Sequence, residues 1–353
     1  MDSLSQIALG AAVSVAVMGR RTAVWKAALW GAVAGTLPDL DVMIEQGDAI
    51  RNMVLHRAET HSLFWLTLFS LPFATGVAWL SREWALRRRW ALAMWLALVT
   101  HPLLDAMTVY GTQLALPFTN HPYGVGSVFI IDLLVTLPLL IGVGWALASR
   151  GSGQVRGRGT ARGLRANLVG LAISTAYLAW GVAAQQHVSQ IATASLASQG
   201  IRAEIMLVTP TAFNTVLWRV VAVSGDSYHE GFYSLFDKTP QIPFDAYPRG
   251  NALAAELSGV EGVQQLKSFT KGFFALRDEA GRVLISDLRM GQEPNYIFTF
   301  AVAEKRSAAV PLVVPEQLGR RGDLKCSLSW LSQRIMGMAV PPPVKFCGNS
   351  APL

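Results

Sequence analysis

Charge is the first thing this chain lacks. Only 15% of its 353 residues are Asp, Glu, Lys or Arg, against about 25% in an average soluble domain. Set beside 52% hydrophobic residues, the shortfall argues for a protein that lives in a bilayer. Cysteine is nearly absent too. The two present, Cys326 and Cys347, lie near the C-terminus, which excludes zinc-finger spacing and places no thiol nucleophile in the apolar half. They can bridge if that region faces an oxidising compartment. No Gly-x-Ser-x-Gly elbow and no phosphate-cradling P-loop occur, so serine-elbow hydrolases and P-loop enzymes are set aside. An internal repeat, the mark of many transporters, is also missing. The first apolar stretch has no small-residue cleavage site and runs into Arg20-Arg21, so it reads as retained rather than as a cleaved signal.

What is present is a series of apolar stretches: 4–18, 23–37, 62–80, 90–107, 128–149 and 166–185. The first two are shorter than the roughly 20 residues that span a bilayer. Basic residues fall in alternate connections. Arg20 and Arg21 follow the first stretch; Arg82, Arg87, Arg88 and Arg89 follow the third; Arg150, Arg156, Arg158, Arg162 and Arg165 follow the fifth. Six segments with these three loops cytoplasmic satisfy the positive-inside rule. The net charge of +7 is then explained by topology, and no nucleic-acid partner is expected. The N-terminus, the loops 38–60 and 108–127, and everything after residue 186 fall outside the inner membrane. Beyond that point, runs such as "IRAEIMLVT", "TVLWRVVAVSGDSYHEGFYSLF" and "YIFTFAVAE" are rich in β-branched and aromatic residues between turn formers. The expected fold is an α-helical membrane domain of about six segments (1–185), followed by a smaller strand-rich α+β extracytoplasmic domain (186–353).

Four polar clusters gather on the outward side. "LPDLD" ends the second stretch with Asp39 and Asp41, read as an extended segment that points both carboxylates to one side. "HRAETHS" brings His56, Arg57 and His61 to the start of the third. "THPLLD" spaces His101 and Asp105 at i,i+4, on one face of a helix. "VYGTQLALPF" follows. Imidazoles and carboxylates are the ligand set of zinc and related divalent ions, and ionisable groups near a membrane are functional candidates by default. Singly, each has an ordinary reading as an interface residue, a cap or a turn. Jointly they point to a metal site with His56, His61, His101 and Asp105 as ligands. Asp39 and Asp41 then bridge a second ion or act as general base, and Arg57 steadies an anionic head group. Asp2, Gln6 and Asp132 are supporting partners.

The same motifs, with the opening "MDSLSQIALGAA" and "IIDLLVTLPLL", resemble the YdjM-type inner-membrane-associated metal-dependent hydrolases over about the first 150 residues. The resemblance implies a membrane-embedded hydrolase whose divalent metal is bound at Asp39, Asp41, His56, His61, His101 and Asp105. It also implies a more distant similarity to zinc-dependent phospholipase C and nuclease-like helical enzymes. Many relatives carry histidine where this chain has Gln6 and glycine where it has Ala58. The expected activity is metal-assisted cleavage of a phosphoester or other ester in a lipid or lipid-linked substrate, at the outer face of a bacterial inner membrane. Zinc is the first choice of metal, with manganese or iron as alternatives. The rival expectation is a non-catalytic transporter or scaffold whose outer domain binds a partner.

Overall fold

The computed structural model describes residues 1–149, 159–305, 309–318 and 322–348. The chain divides into two compact units. The first comprises Met1–Ile44, Arg57–Val182 and Ala212–Asn214; the second comprises Glu45–His56, Ala183–Thr211 and Thr215–Leu353. The helices up to the strand region are α1 (Ser3–Met18), α2 (Val24–Thr36), α3 (Ala49–Leu55), α4 (Leu63–Leu80), α5 (Arg87–Asp105), α6 (Leu133–Ala148) and α7 (Ala161–Ser198). Helix α3 belongs to the second unit, and α7 contributes to both.

In the first unit, polar caps set the helix starts. Asp2 accepts from the Leu4 and Ser5 amides to open α1, and Asp132 accepts from Leu134 to open α6. Such caps satisfy amides that have no partner within the helix. Between α1 and α2 the backbones nearly touch. A Cβ on Gly31 would lie 2.2 Å from the Gly10 carbonyl oxygen, and one on Gly35 would lie 2.4 Å from that of Gln6. Glycine is the residue that permits this approach. Around the seam pack Ala12, Val15, Met18, Ala34, Trp90, Met94 and Leu139.

Among the described residues two helices, α4 and α7, are long and apolar enough to cross a membrane, where the sequence suggests six segments. Helices α1 and α6 are apolar but have 16 residues each, and α2 has 13. Helix α5 has 19 residues, but it opens with Arg87-Arg88-Arg89, which lowers its apolarity. Arg150, Arg156 and Arg158 lie outside the described residues.

The second unit is strand-rich. Strands β1 (Ile205–Pro210), β2 (Leu217–Ser224), β3 (Ser227–Ser234) and β4 (Asp245–Pro248) form an antiparallel sheet in that order. After α8 (Asn251–Glu256) and α9 (Glu261–Phe269) come β5 (Phe274–Glu279), β6 (Arg282–Asp287), the short pair β7 (Gly291–Gln292) and β8 (Asn295–Tyr296), β9 (Thr299–Lys305) and β10 (Ala309–Gln317). Four of these make a second antiparallel sheet, ordered β10-β9-β6-β5. Ala280 and Gly281, both at positive φ, make the two-residue turn from β5 to β6, the conformation such tight hairpins demand. Helices α10 (Leu324–Ile335) and α11 (Pro343–Phe346) follow, and Cys326 and Cys347 are joined by a disulfide. Trp330 of α10 is buried, its ring 4.9 Å from that of Phe232.

A charged network is also buried in this unit. Arg219 on β2 donates through Nε to Glu230 Oε2 of β3 (2.6 Å), through Nη1 to the Leu288 carbonyl (2.7 Å) and through Nη2 to the Tyr296 hydroxyl (3.3 Å). Glu293 receives Arg277 and the Tyr228 hydroxyl. Asp287 receives Arg289 at 2.8 Å.

Candidate metal centre

Helix α5 ends on the centre. His101 and Asp105 lie one turn apart, and both are fully buried. The other two members come from short turns: Asp39 from the 3₁₀ turn Pro38–Met43 after α2, and His61 from the 3₁₀ turn Glu59–His61 before α4. One ligand atom from each of Asp39, His61, His101 and Asp105 falls within 4.8 Å of the others. The two Nε2 atoms are 3.2 Å apart. His61 Nε2 lies 3.4 Å from Asp39 Oδ1 and 3.3 Å from Asp105 Oδ2, and His101 Nε2 lies 3.4 Å from both.

Hydrogen bonding on the far side of each ring decides what those nitrogens present. His101 Nδ1 is 2.6 Å from the Gly35 carbonyl, which can only accept, so Nδ1 carries the proton. For His61, the Thr60 hydroxyl gives its one hydrogen to Asp41 Oδ2 (2.8 Å) and sits 2.9 Å from Nδ1. The hydroxyl oxygen must therefore accept from Nδ1–H. With each ring neutral, both Nε2 atoms then present lone pairs to each other and to two carboxylate oxygens. Asp105 Oδ2 is buried with no hydrogen-bond partner among the described residues. Four electron-rich atoms converging in a buried place repel one another unless a cation lies among them.

The donor set fits a divalent ion. For metal–ligand bonds of about 2.0–2.1 Å, neighbouring ligands of a tetrahedron stand about 3.3–3.4 Å apart. Five of the six distances among these atoms run from 3.2 to 3.4 Å, and all four atoms lie within 4.8 Å of one another. A shared proton needs only two such atoms close together. Imidazoles whose Nδ1–H is held by a carbonyl or a polar group are the usual arrangement around metal-binding histidines.

The surroundings hold Asp105 and His61 in place. Gln6 Nε2 donates to Asp105 Oδ1 (3.0 Å) and to the His101 carbonyl (3.2 Å). The Met1 amino group also contacts Asp105 Oδ1. Arg57 is buried at positive φ, with Nε 3.3 Å from Asp105 Oδ2 and its guanidinium 4.9 Å from the Tyr110 ring centre. Nη1 reaches Thr108 Oγ1 at 3.4 Å. The Asp39 side chain keeps 21% of its surface exposed.

The structure thus brings together His61, His101, Asp105 and Asp39, with Arg57 and Gln6 against Asp105 and Asp41 behind His61. The stretch is a 3₁₀ turn and not extended, and Asp41 meets the other nitrogen of His61, with Oδ2 3.6 Å from Nδ1. Its carboxylate accepts from the Arg57 amide and from Thr60. His56 ends α3 in the second unit. Arg57 turns its guanidinium inward to Asp105 rather than outward to a head group. Gln6 touches Asp105 directly, whereas Asp2 caps α1 and Asp132 caps α6 while accepting from Tyr177 (2.9 Å). Thr60 and the Gly35 carbonyl were not singled out from the sequence. Thr60 had one signal, its position directly before His61; a backbone carbonyl has none.

The model of the YdjM inner membrane protein family matches residues 1–188, more than half of the chain, and every member of the centre lies within the match. The chain belongs to this family. No curated protein and no solved structure matches it.

Proposed function

We propose that this YdjM-family protein is a membrane-embedded, metal-dependent hydrolase that cleaves a phosphoester or other ester bond in a lipid or lipid-linked substrate. The observation that carries the reading is the convergence of the His61 and His101 Nε2 atoms, 3.2 Å apart, on Asp105 Oδ2, which accepts no hydrogen bond among the described residues. His61, His101, Asp105 and Asp39 would hold the ion, with zinc favoured by the mixed imidazole and carboxylate set and manganese or iron as alternatives. Such an ion supplies a Lewis acid and brings the pKa of water to about 7. The protein's part is to orient and to exclude. Thr60 and Asp41 aim His61, the Gly35 carbonyl aims His101, and Gln6 and Arg57 hold Asp105. Asp39, the partly exposed member, lies on the side from which water and substrate would arrive.

Helix polarity supports a location at the outer face. The centre sits at the C-terminal ends of α2 and α5 and just before the start of α4. Arg20, Arg21, Arg82 and Arg87–Arg89 fall at the opposite ends of α1, α4 and α5. By the positive-inside rule those ends face the cytoplasm, with the shorter helices completing a multi-pass bundle. The Cys326–Cys347 disulfide suits a periplasmic second unit.

Elemental analysis of detergent-purified protein tests the reading, with wild type compared to His61→Ala/His101→Ala. The expected result is about one or more divalent ions per chain in the wild type, lost in the variant, together with metal-dependent hydrolysis of micellar phosphoesters or esters. Absence of stoichiometric metal after metal-replete preparation overturns it and returns the protein to the scaffold or transporter class.

A further inference from the structure

The 3₁₀ turn that supplies Asp39 has a second side. Asp39 and Asp41 face the protein, while Leu40, Val42, Met43 and the following Ile44 are 51%, 75%, 81% and 56% exposed. Together they form an apolar patch outside any helix face, immediately beside the one centre residue that keeps some exposure. A water-facing turn would carry polar residues here.

The level of this patch in the molecule is set by independent features. The candidate span α4 begins at Leu63, two residues beyond His61, so the centre lies at the end of a span. Exposed Phe64 and Trp65 stand at the first turn of that span, their rings 5.0 Å apart, and Phe118 lies 5.6 Å from Phe64. Exposed aromatic residues at the end of a span mark the boundary between acyl chains and head groups.

We infer that the Leu40–Ile44 turn is a membrane-inserted lip of the metal centre, contacting lipid at the bilayer boundary and bringing the linkage between head group and acyl chain to Asp39. The contact with lipid stands on the exposed turn and the aromatic boundary; the delivery of a scissile bond rests on the hydrolytic reading.

Labelling tests the lip without activity. Cys326 and Cys347 are paired, so Met43→Cys offers a single free thiol for an environment-sensitive fluorophore, with Ser258→Cys on the exposed surface of the second unit as the aqueous reference. Both proteins are placed in phosphatidylethanolamine–phosphatidylglycerol nanodiscs. At position 43 the expected result is blue-shifted emission, quenched by lipids carrying a nitroxide near the head group and shielded from iodide, with the reverse at 258. Iodide quenching at 43 equal to the reference overturns the lip. Shielding from both quenchers also overturns it, because a protein surface then covers the turn.

A second experiment reads delivery. Val42→Asp/Met43→Asp is expected to lower the ratio of micellar to water-soluble ester hydrolysis about tenfold or more, from the lost apolar contact, with metal content kept. An unchanged ratio refutes delivery. Metal-loaded wild type that hydrolyses neither substrate refutes the hydrolytic reading, and with it delivery, and leaves the fluorescence result to decide the lip.

Discussion

Both units bury a cluster of charged side chains, and the two are built in opposite ways. In the second unit each buried carboxylate meets a donor. Glu230 is held by Arg219, Glu293 by Arg277 and Tyr228, and Asp287 by Arg289. Among the described residues no buried side-chain nitrogen or oxygen of that network is left without a hydrogen-bond partner. In the first unit the acceptors outnumber the donors at the point where they converge. Lone pairs of His61 and His101 face Asp39 and Asp105, and the one guanidinium nearby, Arg57, stands 3.3 Å from Asp105 on Nε. Burial is thus a poor guide to function when taken alone. A charge-matched network can hold a fold together with nothing added, whereas convergent acceptors need a cation to make them compatible.

The sharpest way to break this contrast is to remove a converging ligand. His101→Ala is expected to abolish stoichiometric metal and the rise in melting temperature that added metal gives the wild type. That rise reflects ligand linkage, about 2.7 kcal/mol at a free metal concentration of 100 times Kd. Metal titration followed by thermal unfolding checks it, and an unchanged rise would show that the centre is not the binding site. The matched network should answer differently. Arg219→Ala strands Glu230 in the sheet and is expected to cost about 3–5 kcal/mol with no change in metal affinity. Denaturant unfolding with and without metal separates the two clusters. Replacing the pair together by apolar residues of similar volume should restore much of the loss.

Smaller effects sharpen the contrast inside the first unit. Gly35→Ala would place a methyl 2.4 Å from the Gln6 carbonyl oxygen and push apart the helices that carry two of the centre's contacts. Overpacking of this kind costs about 1–3 kcal/mol. Because the Gly35 carbonyl also holds His101 Nδ1, metal affinity should fall with stability, as calorimetry would show. Thr60→Val keeps the shape and removes the oxygen that accepts from His61. It is expected to weaken metal binding about 10–100-fold with little change in melting temperature of the metal-free protein. Equal metal affinity in that variant would mean that His61 is oriented by packing alone.

How much of this was legible in the sequence follows from what each signal measures. The apolar stretches located α1, α2, α4, α5 and α6 to within a few residues, because burial and membrane exposure both select apolar side chains. They did not separate helices long enough to span from shorter ones. They also missed α3, whose Ala49–Leu55 is too short to show a period, and stopped α7 at residue 185 although it runs to Ser198. The last turns are rich in Ala, Ser and Gln, which favour no bilayer but are accommodated in a helix. At the site, the i,i+4 spacing of His101 and Asp105 is a helix-periodic relation and could be read directly. The division of roles between Asp39, on His61 Nε2, and Asp41, behind Nδ1, could not, since it depends on a proline-initiated 3₁₀ turn rather than an extended strand. His56 ends α3, a helix of the other unit, although only four residues of chain lie between it and His61.

The smallest expected effect tests whether the second unit's network is matched in charge as well as in hydrogen bonds. Tyr247 on β4 stacks on Tyr228, with ring centres 5.5 Å apart. Burial, and next the nearby Glu230 and Asp245 carboxylates, push its hydroxyl up to about 12 from an ordinary value near 10. A raised pKa means that the fold favours the neutral phenol. Its contribution is therefore complete below about pH 10 and is lost as pH rises toward 12, where the unfolded chain ionises more readily than the folded one. The melting temperature of the wild type should fall more steeply than that of Tyr247→Phe across this window, with the two curves parallel below it. Tyr247 is partly solvated, so the difference should be modest, a fraction of what Arg219→Ala costs. If the two curves stay parallel up to pH 12, the negative charge of Glu230 is neutralised so completely by Arg219 that Tyr247 does not sense it, and the matching of charges in this unit is closer than the Tyr247 shift implies.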